Sequence, residues 1–147
     1  MSLMFGMLGL LTLQPATGEE CPYFDVKPIT NEQATEYALK PDFYQKGLLI
    51  QNILIATSGK VSDLAIREAA YLFDKVMTGI DPDVARRIRE KKVLCVLVAH
   101  NELTSDVPQF VSDKKGEELD FYNWRQRGFL TDVDGRPVVL FSEEDVL

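Results

Sequence analysis

The chain contains one histidine, His100. It directly follows the apolar run Val93-Leu94-Cys95-Val96-Leu97-Val98-Ala99, and Glu102 and Asp106 come soon after it. A histidine with a carboxylate beside it is the smallest unit of general-base chemistry. One reading is therefore a small α/β enzyme of hydrolase type, with His100 as base and Glu102 or Asp106 as its partner. That reading predicts a pocket at the end of the 93–99 run. The companion groups such chemistry needs are absent from the sequence. A zinc peptidase requires two histidines one helical turn apart with a glutamate between them, and a single histidine cannot supply that set. No Gly-x-Ser-x-Gly elbow occurs, and Cys95 lies inside an apolar run rather than at an exposed turn. No Gly-x-Gly-x-x-Gly or phosphate-binding loop is present. The sequence thus assigns no catalytic residue, no metal ligand and no cofactor. The favoured role for His100 is a loop-edge histidine bonded to backbone.

Two further groups carry contact chemistry. Glu102, Asp106, Asp113, Glu117, Glu118 and Asp120 make the 100–120 region acidic, but their spacing fits no calcium loop. A solvated acidic loop is the favoured reading. Trp124-Arg125-Gln126-Arg127 sets an indole beside two guanidiniums. This suits an anion or peptide contact, or cation–π packing that pins the loop, and packing is favoured. The candidate ligand or partner contacts are His100, Glu102, Asp106, Trp124, Arg125 and Arg127.

The formal net charge is −7 over 147 residues. An acidic surface repels phosphate backbones, so no nucleic-acid partner is expected. Arg86, Arg87, Arg89, Lys91 and Lys92 cluster, but Asp81, Asp83 and Glu90 interleave with them, as on a solvated helix face. Length and hydrophobic content fit one domain with its own core. Residues 1–20 read as a leader and apolar N-terminal segment, and residues 21–147 as a single α/β domain.

The elements that must position these groups follow from pattern. Three prolines between Gln14 and Thr30 predict irregular chain. Glu32 to Leu39 reads as a short helix that Pro41 ends. Gly47 to Ala56 is rich in branched aliphatics and reads as one strand. Ser62 caps the clearest helix, with Leu64, Ala69, Leu72, Phe73, Val76 and Ile80 at helical spacing. Asp81-Pro82 opens a second helix. Val93 to Ala99 predicts a central strand covered on both faces. Residues 100–118 read as a long loop, Glu118 to Arg125 as one or two helical turns, and Val133 to Pro137 as a turn. Val138 to Phe141 is the last strand, and Ser142-Glu143-Glu144 a helix start. The expected fold is α/β, with α+β as the alternative: a small mixed sheet with helices packed on it.

Met1-Ser2-Leu3 reads as an added leader. Phe5 to Leu13 is an apolar run too short to span a bilayer, so no integral membrane protein is expected. Its length suits a signal-peptide core, and Ala16-Thr17-Gly18 offers a cleavage site, although no Lys or Arg precedes the run. The expectation is an exported protein, periplasmic or extracellular, that keeps this segment packed against something; the alternative is a cytoplasmic protein. A Cys21–Cys95 disulfide needs export, whereas a buried, inert thiol is favoured for Cys95.

From Leu48 onward the chain resembles a family of exported bacterial and fungal proteins that are themselves similar to zinc metallopeptidases, the zincins. The matching pieces are Lys60-Val61-Ser62-Asp63, the strand Val93–Ala99, and the following Asn101-Glu102-Leu103-Thr104-Ser105-Asp106-Val107-Pro108. Trp124-Arg125-Gln126-Arg127-Gly128 and Ser142-Glu143-Glu144-Asp145-Val146-Leu147 complete them. The family usually carries an acidic pair where His100-Asn101 stand and a glycine where Phe129 stands. Its His-Glu-x-x-His helix would follow Leu147. The resemblance therefore implies the front half of a zincin-like domain, with zinc expected only where that downstream helix is present.

Three functions stay open at this point: a non-catalytic binding or assembly module, a fragment of an active secreted metallopeptidase, and the small His100 enzyme. The first predicts a parallel or mixed sheet with its last strand at an edge. It also predicts exposed apolar surface, covered in a homodimer or by the apolar N-terminal segment.

Overall fold

The structure, a computed structural model, describes residues 24–125 and 128–147. It holds one mixed six-stranded sheet in the order β1-β2-β3-β4-β6-β5. Strands β1 (Lys27–Pro28), β2 (Lys46–Ile50) and β3 (Ile53–Thr57) pair antiparallel. Strands β3, β4 (Leu94–Val98) and β6 (Arg136–Ser142) run parallel, and β5 (Gly128–Val133) returns antiparallel on β6. This confirms a small α/β fold with a mixed sheet and helices packed on it.

The helices are α1 (Asn31–Glu36), α2 (Asp63–Gly79), α3 (Pro82–Glu90) and α4 (Glu117–Arg125). Their starts follow cap chemistry. Ser62 accepts the Leu64 N–H through its hydroxyl, and Asp81 accepts those of Asp83 and Val84 ahead of Pro82. Thr30 and Gln33 form a capping box before α1.

Alternation along the strands divides the core in two. On one face Ile53, Ile55, Cys95 and Leu97 pack against Ala65, Ile66, Ala69 and Met77 of α2 and Ala85 of α3. On the other, Leu54, Ala56, Val96, Val98, Val138 and Leu140 meet Tyr37, Tyr44, Val107 and Phe110. Every residue of β3 and β4 is buried, as a strand covered on both faces requires. The Cys95 thiol is fully buried there, and burial pushes its pKa up. Cys21, Gln126 and Arg127 lie outside the described residues, as does the apolar run Phe5–Leu13.

Three expectations need correction. Gly47–Ala56 is not one strand but the hairpin β2–β3. Gln51 and Asn52 both take positive φ, 50° and 63°, and reverse the chain in two residues. The turn lacks the glycine that usually marks such a reversal. The last strand is not at the sheet edge, because β5 lies outside it. Asp134-Gly135 closes a second hairpin, and Gly135 donates its N–H to Asp132 at 2.7 Å. Residues 100–118 are not plain loop. Short 3-10 turns span Thr104–Asp106 and Pro108–Phe110, and α4 starts at Glu117.

Candidate functional site

Strands β3 and β4 are parallel neighbours whose chains leave on opposite sides. After β3 the backbone turns at Ser58-Gly59 toward α2 on the first face. After β4 it runs through Val107 and Phe110 on the second. Such divergence opens a crevice beyond the carboxyl ends of the strands, where open α/β sheets bind ligands. A cavity of about 400 Å³ lies there, lined by Asp42, Phe43, Gln45, Ser58, Gly59, Lys60, Glu102 and Asp106.

Glu102 is its buried acid, 2% exposed. Its Oε2 accepts the Ala99 N–H at 2.9 Å, and Lys60 Nζ stands 3.8 Å from Oε1. Desolvating a carboxylate is costly unless donors surround it, and these two contacts hold Glu102 at the end of β4. Asp106 caps its own 3-10 turn, accepting the Leu103 N–H at 2.9 Å.

His100 is not among the residues lining this cavity. Its side chain is 84% exposed, and Nδ1 pairs with the Glu144 carboxylate. Its backbone N–H donates to Glu143 Oε1 at 3.0 Å. Trp124 stands on α4 with 75% exposure, its ring 6.2 Å from that of Phe121. Arg125 belongs to the same helix, while Arg127 lies outside the described residues. The structure therefore brings Glu102 and Asp106 together and separates both from His100. Among the described residues no group of three or more His, Cys, Asp or Glu is placed to hold a metal ion. His100 and Glu102 do not converge on one point, because Glu102 lines the cavity and His100 does not. Among the same residues no helix is long and apolar enough to cross a membrane.

The position of a second feature, an exposed apolar surface, was not legible in the sequence. Among the described residues, α2 and α3 cover the first face over the middle of the sheet, Val139 and Phe141 of β6 pack partly buried against that core, and Leu130 of β5 stays exposed. An apolar groove of about 480 Å³ results, lined chiefly by Phe73, Val76, Val84, Ile88, Leu130 and Val139. Leu130 is 67% exposed, and Val76 and Val84, which line the same groove, are exposed as well. Arg87 and Lys91 are the charged residues among its described lining. A partial signal was present in α2. Leu72 and Val76 widen its apolar stripe beyond the part that Ala65, Ala69 and Met77 bury.

No protein-family model, curated protein or solved structure matches the chain.

Proposed function

We propose that this chain is a non-catalytic binding or assembly module, related to the N-terminal half of zincin-like metallopeptidases and exported. The observation that carries the reading is the apolar groove on the first face beside β5 and β6, as the described residues line it. A folded domain rarely leaves several large apolar side chains side by side in water, and such patches mark contact surfaces. Leu130, Val76, Val84 and Ile88 form one here. The strand-end cavity is its secondary site, with Glu102, Asp106 and Lys60 as polar contacts for a small ligand. His100 and Trp124 flank the module as surface contacts. The kinship rests on the ordered motifs from Lys60 to Leu147.

Zinc content tests the non-catalytic part. The purified full chain, incubated with zinc at neutral pH and freed of excess, is expected to carry no stoichiometric metal by mass spectrometry. One zinc per chain, lost in His100→Ala, would overturn it and favour a metallohydrolase.

A further inference from the structure

The groove has a candidate occupant in the chain itself. The described chain begins at Phe24, and Phe24 and Val26 pack on the first face, the face that carries the groove. The apolar run Phe5–Leu13 precedes it by ten residues, 14–23. Ten residues reach about 33 Å when extended. From β1 across β2, β3 and β4 to β6 is four strand spacings, about 19 Å. Helices α2 and α3 stand on the middle of that face, and the remaining length, about 14 Å, allows the run to pass around a helix about 10 Å across. Charge agrees as well. Residues 5–13 carry no charge, and the connecting stretch holds Glu19 and Glu20 but no Lys or Arg. The charged side chains in the groove's described lining are Arg87 and Lys91.

We propose that Phe5–Leu13 seats in the groove bounded by α2, α3, β6 and β5 of its own molecule. The inference rests on reading that face as a contact surface. Burying Leu8, Leu11 and Leu13 against Leu130, Val139 and Val76 removes apolar area from both partners, the dominant favourable term in such contacts. The connecting acids then lie within reach of Arg87 and Lys91.

Photo-crosslinking of the full chain tests it, with benzoylphenylalanine in place of Leu11 and intact mass confirmed. Equal amounts of isotopically heavy and light chain are mixed before irradiation. The expected result is crosslinks to Val76, Ile88 or Leu130 within single molecules, heavy to heavy and light to light. Crosslinks joining heavy to light at the same residues would overturn the intramolecular seat while leaving the face a contact surface, now between two copies. Crosslinks confined to other regions would overturn the seat altogether. A dye titration separates the two failures. In a chain lacking residues 5–13, naphthalene-sulfonate dye fluorescence should rise several-fold, and Leu130→Glu should abolish the rise. A rise insensitive to Leu130→Glu would mean that the groove is not the surface exposed.

Discussion

Glu143 reaches back 81 positions to accept the backbone N–H of Ser62 through Oε2 at 3.0 Å. Its other oxygen takes the N–H of His100 at 3.0 Å. One carboxylate thus ties the end of β6 to the start of α2 and to the end of β4. An acid near a helix N-terminus also meets the positive end of the helix dipole.

Replacing Glu143 by alanine should therefore loosen three elements at once. Each charge-assisted bond contributes of order 1 kcal/mol where water can substitute. The expected cost of Glu143→Ala is about 1–2 kcal/mol by urea denaturation, with Glu143→Gln losing about half. An unchanged midpoint for both would show that the carboxylate does not brace this corner.

Gly47 faces a different constraint. A Cβ there would lie 2.2 Å from the Ile55 carbonyl oxygen and 2.9 Å from Ile29 Cδ1. The first obstacle is backbone, so β2 and β3 would have to separate. Gly47→Ala should cost about 3 kcal/mol, read from the same denaturation curves. Gly79→Ala, whose Cβ would meet nothing within 4 Å at the end of α2, is the control and should be unchanged or slightly stabilised.

The hairpin residue Gln51 sets two effects against each other. Glycine would relieve its left-handed backbone by about 1 kcal/mol. It would also remove the Gln51 bond to Asp74 at 2.7 Å and the two from Arg89 at 3.0 and 2.7 Å. Three part-buried bonds at about 1 kcal/mol each outweigh the relief. Gln51→Gly should be destabilising by about 1–2 kcal/mol, and a stabilised variant would show those side-chain bonds to be idle.

Much of the fold is legible in the sequence because its signals are local. Ser62 and Asp81-Pro82 mark helix starts through cap chemistry within three residues, and Val93–Ala99 announces a strand covered on both faces. The β2–β3 hairpin is not legible, because Gln51-Asn52 reaches positive φ without glycine and leaves an unbroken aliphatic run. Among the described residues β5 pairs with β6 alone, at the edge of the sheet, and little in Gly128–Val133 marks it. The site is less legible still. Glu102 and Asp106 stand out as acids after the strand, but Lys60 joins Glu102 only through tertiary structure. The contact from Glu143 to Ser62 has no local signature at all.

Burial sets the alkaline limit of stability. The Cys95 and Tyr44 pKa values are both raised, each by desolvation of the charged form. A raised acid stays neutral when folded but ionises once unfolded. Stability should therefore be intact below the ordinary thiol range and fall as pH rises through about 9 and then about 10. At pH 10 the thiol alone should account for roughly 1 to 2 kcal/mol. The check is denaturation at pH 8 and pH 10 with and without Cys95→Ala, in a Cys21→Ser background. A pH effect of the same size in both chains would remove Cys95 as its source.

Leu130 and Val111 are equally exposed among the described residues, at 67% and 70%. Hydroxyl-radical footprinting of the purified full chain compares them within one molecule. A covered first face should leave Leu130 strongly protected while Val111 reacts at the rate of an open side chain. Equal reaction at both would show a bare groove and contradict the account.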